Sequence, residues 1–175
     1  MRAEDTPLTV DENAFELGDV SDLYELLRAI DEVMPKHATL YVEGTSIAPE
    51  VARFLAARQS ADPPEVERHT GWPKPQPFHL PLAGRNLAEL RAIADRYAEP
   101  EICDHLVVYC GGTVLLYAHD AGDGYVLLSR ELPPETHAQL RETLAGVLRD
   151  PATPAPWSFR RLGRWLAAGR GDPST

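Results

Sequence analysis

Between Glu101 and Ser129 the chain carries two cysteines, two histidines and three aspartates. These are the residue types that do chemistry. A carboxylate holding one imidazole nitrogen can make the other a general base, and thiolates with imidazoles can hold a transition metal. Cys103, Asp104, His105, Cys110, His119 and Asp120 are the candidates. Their spacing speaks against a metal centre, because neither C-x-x-C nor H-x-x-x-H occurs in the sequence, and short spacings of that kind mark zinc sites. Neither metal nor cofactor is expected. Asp120 to Gly124 reads as a turn, since Gly122 stands at the third position, where a calcium loop needs an oxygen ligand. Cys110 lies beside Gly111 and Gly112 with no base at hand, so an inert thiol is expected.

A second candidate lies upstream in "VEGTSIAPEV", where a strand ending at Gly44 feeds a helix. Free amides and hydroxyls at a helix entrance suit an anion, and ligands in α/β sheets gather beyond the carboxyl ends of strands. A small-ligand or anion site is therefore placed at Glu43, Gly44, Thr45 and Ser46, bordered by Trp72, Lys74 and His79 from a proline-rich loop. The segment has neither G-x-x-x-x-G-K nor G-x-S-x-G, so it specifies no nucleotide and no serine hydrolase. A plain Ser or Thr helix cap would use the same residues.

The elements that must position these groups are legible in the hydrophobic spacing. Val20, Leu23, Tyr24, Leu27, Ile30 and Met34 recur at three and four, which predicts a helix capped by Asp19 or Ser21 and stopped by Pro35. "ATLYVEG" predicts a strand, and residues 45–59 a helix burying Ile47, Val51, Phe54 and Leu55. Prolines dominate from Asp62 to Pro77, so irregular chain is expected there, with "PFHLPL" a short strand after it. Leu87, Leu90, Ala94 and Tyr97 predict a third helix with Asn86 at its start, and Leu140, Leu144, Val147 and Leu148 a fourth after Pro134.

"HLVVYC", "TVLLYA" and "YVLLS", separated by Gly-Gly and by "HDAGDG", predict an antiparallel meander. A two-residue turn at Gly111–Gly112 sets Cys110 opposite Thr113. Carried down the ladder, that register pairs Val108 with Leu115, Leu106 with Tyr117 and Asp104 with His119, and puts His105 on the other face. The imidazoles are thus expected apart, with Asp104–His119 a strand-end ion pair.

The fold class expected is α/β: a mixed, mostly antiparallel sheet of about five strands ending in a three-stranded meander, packed by four to five helices. Residues 1–150 are read as one domain, and 151–175 as a proline-rich linker, a short basic amphipathic helix and a polar tail. That helix, with Trp157, Phe159, Leu162, Trp165 and Leu166 among arginines, is expected to dock on its own domain or on a partner. No secretory leader and no membrane-length apolar run is apparent, and the chain is expected to be cytoplasmic and, from its strong preference for Arg over Lys, bacterial.

Charge narrows the function classes. The net charge is −10, yet Arg160, Arg161, Arg164 and Arg170 bring +4 to residues 151–171, leaving −14 on the rest. Such a body repels nucleic-acid phosphates, so no DNA or RNA partner is expected. The leading expectation is a protein that acts by binding, in the manner of an immunity protein or regulator, taking a protein partner through an acidic surface. The alternative is a small-ligand or anion binder, or a small enzyme, at the Gly44–Ser46 entrance.

Overall fold

Apolar residues in near-continuous runs, such as "LVVY" and "VLLY", suit strands buried on both sides, and these runs form the middle of the sheet. The structure is a computed structural model describing residues 7–11, 13–68, 70, 73–121 and 123–149. In chain order it contains β1 (Phe15–Val20), α1 (Leu23–Val33), β2 (Thr39–Gly44), α2 (Pro49–Arg58), β3 (Gln76–Pro81) and α3 (Asn86–Ala94). There follow a 3₁₀ turn (Glu99–Glu101), β4 (His105–Cys110), β5 (Thr113–Ala118), β6 (Gly124–Leu128), α4 (Pro134–Thr143) and β7 (Leu148–Arg149). The strands form one sheet in the order β3-β2-β4-β5-β6-β1-β7, and each neighbouring pair is antiparallel.

The α/β class and the β4-β5-β6 meander stand as read. The sheet has seven strands instead of five, and it is antiparallel throughout instead of mixed. The two additional strands, β1 and β7, had weak signatures. Val20 keeps phase with the helical stripe that follows and disguised β1, whose run is also interrupted by Gly18 and Asp19; β7 is two residues long. The residues 151–175, with the expected basic helix, lie outside the described residues.

The helices cover one face. Leu40, Val42, Leu106, Val108, Leu116, Ala118, Val126 and Leu128 meet Leu26, Leu27 and Ile30 of α1, Val51 and Leu55 of α2, Leu87 and Leu90 of α3, and Leu140 of α4 in one core. Asp22 caps α1 by accepting the Glu25 amide proton at 3.0 Å, in place of Asp19 or Ser21. Helix α2 begins at Pro49 after Ala48, so Gly44, Thr45 and Ser46 lie upstream of the helix. Helix α4 stops at Thr143, which frees Leu148 to pair with Val20.

The other face is coated differently. Tyr41, Val107, Tyr109, Val114 and Tyr117, with Tyr125 and Leu127 beside them, are covered by Leu8, Val10 and Val66. Leu8 and Val66 belong to two crossing segments joined by a parallel bridge, in which the Leu8 amide donates to the Glu65 carbonyl at 2.8 Å and the Glu67 amide to the Leu8 carbonyl at 3.0 Å. Part of the proline-rich stretch is therefore a lid of irregular chain over aromatic side chains.

The β4–β5 ladder departs from the sequence-based register at one place. Cys110 faces Thr113 and Tyr109 faces Val114 as the double glycine dictates, but then Val108 faces Leu116, Val107 faces Tyr117 and Leu106 faces Ala118. Leu115 is the extra residue of a β-bulge. One inserted residue flips everything beyond it to the opposite face. Tyr117 thereby joins Val107 and Tyr109 on the lidded face, and His119 follows it.

Candidate functional site

The bulge brings together what the simple register kept apart. At the start of β4, His105 is 5% exposed. It stacks on His119, with ring centroids 4.6 Å apart and planes 13° apart. His119 in turn stacks on Tyr125 of β6 at 4.9 Å. Three rings thus run across three adjacent strands. The Tyr117 hydroxyl lies 2.9 Å from His119 Nδ1, and Asp120 Oδ2 lies 3.5 Å from His119 Nε2. His105 Nδ1 accepts the Asp120 backbone N–H at 3.0 Å. The expected Asp104–His119 pair does not form: Asp104 turns to Thr45, accepting from its amide at 2.8 Å and its hydroxyl at 2.9 Å.

Beside the stack lies a buried carboxylate. Glu43 is 0% exposed and sits opposite His105 on β2. It accepts from the Tyr41 hydroxyl at 2.6 Å, the Thr70 amide at 3.0 Å and the Thr70 hydroxyl at 3.1 Å. Strand alternation explains the first bond, since residues two apart share a face; the other two fasten the crossing segment to the sheet. Burial, reinforced by the bond to Glu43, pushes the Tyr41 phenol far up, and burial does the same to Tyr117. Both phenols therefore stay protonated and available as donors.

The residues singled out in sequence are dispersed. Glu43 is a buried strut. Gly44 packs β2 against Cys103, where a Cβ would come within 2.7 Å of Ile47 and 3.3 Å of the Cys103 Cα. The Thr45 amide and hydroxyl are engaged by Asp104, so an outside anion would have to displace the chain's own carboxylate. Ser46 and Lys74 are exposed, and Trp72 lies outside the described residues. His79 is buried, with Nδ1 3.0 Å from the Tyr109 hydroxyl and its ring edge-on to Tyr41. Cys103 is a buried thiol whose pKa burial pushes upward, the state of an unreactive cysteine.

Burial pushes His79 down to about 4, which gives a signed expectation. The folded protein keeps this ring neutral, whereas an imidazole in an unfolded chain titrates near ~6.5. The stability linked to it is intact above ~6.5 and is lost as the pH falls toward 4. Urea denaturation at pH 7 and 4.5 should show a loss of about 2 kcal/mol that His79→Leu largely removes.

Donor atoms of His105, His119 and Asp120 lie within 4.8 Å of one another, which raises the question of a metal. An imidazole lone pair lies in the plane of its ring, so two rings share an ion only where their planes meet at it. Here the planes are nearly parallel, and His105 Nδ1 already accepts an amide proton. As they stand, the rings form a stack instead of a coordination site.

What the topology does assemble is an acidic rim. The ends of β1, β2 and β5 and the starts of β4 and β6 share one end of the sheet, and Asp22, Glu99, Glu101, Asp104, Asp120 and Asp123 lie in or beside the loops there. Burial, with the charges of Asp22 and Asp123 nearby, raises the pKa of Glu99. Several of these carboxylates are held by main-chain amides: Glu99 by Leu23 at 2.8 Å, Glu101 by Ala98 at 3.0 Å, Asp22 by Glu25 and Asp104 by Thr45. An amide satisfies a carboxylate without cancelling its charge. Arg149 approaches Asp123 at 3.8 Å with both side chains largely exposed, a pairing of small worth.

The helical layer is arranged otherwise. Arg28 bridges Glu25 and Glu32, Arg58 meets Glu89, Arg96 meets Glu50, and Lys36 and Arg91 both reach Asp31. These five acids are answered by cations. No helix among the described residues is long and apolar enough to cross a membrane. The family models, the curated proteins and the solved structures compared with this chain give no match.

Proposed function

We propose that this chain acts by binding, and that its acidic strand-end rim receives a cationic surface of a protein partner, in the manner of an immunity protein or regulator. One observation carries the reading: four carboxylates of the rim, those of Asp22, Glu99, Glu101 and Asp104, are held by backbone amides, while Glu25, Glu32, Asp31, Glu50 and Glu89 of the helical layer are paired with arginine or lysine. The protein's negative potential is thereby concentrated at one end of the sheet. Opposite charge there speeds encounter with a basic partner and fixes its orientation.

Calorimetric titration with a deca-arginine peptide tests the rim. Binding should weaken about tenfold or more between ~50 and ~300 mM salt. Asp22→Asn combined with Asp123→Asn should weaken it several-fold at low salt, and asparagine still caps α1. Glu25→Gln with Glu32→Gln on the helical layer should leave it unchanged. Equal losses in the two double variants, or no salt dependence, would remove the basis for the proposal.

A further inference from the structure

We propose that the His105 imidazole is a pH-operated switch for the turn that His119, Asp120 and Ala121 enter after β5. The turn is held in an uncommon backbone conformation, for Asp120 is the one non-glycine residue with positive φ among those described, at 45°. Aspartate tolerates this left-handed region better than most residues, but it does not favour it. The bond from the Asp120 amide to His105 Nδ1 joins the turn to β4. It requires His105 to be neutral with its proton on Nε2, because a backbone N–H can only donate. One proton taken from solvent puts hydrogens on both ring nitrogens. Nδ1–H then faces the Asp120 N–H, donor against donor, and attraction becomes repulsion.

Among the described residues, Glu43 of β2 lies opposite His105, Tyr117 of β5 and His119 just after it lie against its ring, Asp120 of the turn bonds it through its amide, and Tyr125 of β6 lies beyond His119. Arg68 of the crossing segment acts on the Tyr41 side of the group. The turn that would be released carries two rim carboxylates, Asp120 and Asp123, and is joined to Asp104 through the Ala121 amide at 2.8 Å. Acidification would displace those charges while adding positive charge beside them. The consequence for a partner, weaker capture of a cation at low pH, rests on the binding reading above; the switch itself does not.

The test uses the isolated chain, so that its failure and the failure of the binding proposal are separate results. In ¹⁵N-labelled protein followed by NMR from pH 8 to 5, a range spanning an ordinary imidazole's ~6.5, His105 should begin as the Nε2–H tautomer. The Asp120, Ala121 and Asp123 amides should shift with the midpoint of His105, and hydrogen exchange at Asp120, corrected for the intrinsic effect of pH, should become about tenfold or more faster on the acid side. His105→Asn, whose Oδ1 takes the place of Nδ1 and accepts without titrating, should hold the turn across the range. His119→Gln should leave the turn responding to pH with His105, whatever the position of the midpoint. A turn indifferent to pH, or one titrating with His119 instead of His105, would overturn the proposal. So would a midpoint that persists in His105→Asn; should that variant not fold, the wild-type titration alone decides.

Discussion

Replacing Glu43 by alanine is expected to destabilise the fold by about 3–5 kcal/mol, close to the whole margin of many domains of this size. The carboxylate is 0% exposed and accepts hydrogen bonds from the Tyr41 hydroxyl and from the amide and hydroxyl of Thr70. Its removal leaves donors facing a cavity in a face that water does not reach, and a buried group deprived of its partner costs about 1–3 kcal/mol. It also unfastens the segment that carries Val66 over the tyrosines. Tyr41→Phe, which removes one donor and leaves both of Thr70's, should cost no more than about 1–2 kcal/mol. Urea denaturation of both single variants and the double variant measures the coupling. If Glu43→Ala costs under 1 kcal/mol, the strut assigned here has no mechanical role.

The second large effect is expected at Gly18. It lies where the β1–β6 register shifts, with φ at +140°, and a Cβ there would meet the Arg149 carbonyl oxygen at 2.6 Å. Neither a strained backbone nor a clash with another main chain can be relieved by turning a side chain. Gly18→Ala should cost about 2–4 kcal/mol and loosen β7 first, since Arg149 belongs to that strand. Thermal unfolding gives the size, and hydrogen exchange at Val20 and Arg149 gives the location. A stable variant with normal protection at the β1–β7 edge would contradict this account of the bulge.

The sequence shows the elements whose apolar spacing is long and regular, and conceals those that depend on a single irregular residue. Leu23, Leu27 and Ile30 announce α1, and "HLVVYC-GG-TVLLYA" announces the β4–β5 hairpin down to its first two pairs. The bulge at Leu115 leaves no such trace. Polar and apolar residues normally alternate and betray a slip, but these strands are apolar on both faces, so either register buries the same kinds of side chain. That one residue decides whether His119 meets Asp104 or His105.

Glu43 was visible as an acid at the end of an apolar strand, and Tyr41 two residues before it was the available sign that it faces inward. Its partner Thr70 sits in a proline-rich stretch whose path no local pattern fixes. The acidic surface was legible only as a net charge. Asp22, the pair Glu99 and Asp104, and the pair Asp120 and Asp123 lie in three separate segments of the sequence, and only the strand order brings their loops to one end.

That convergence is the centre of the account, and mapping a cation onto it tests it most directly. Amide chemical shifts of ¹⁵N-labelled protein titrated with deca-arginine at low salt should move at residues 22–23, 44–46, 99–104 and 119–125, and should stay still along α2 and the body of α3. Shifts spread over the helical layer, or none at the strand ends, would contradict it.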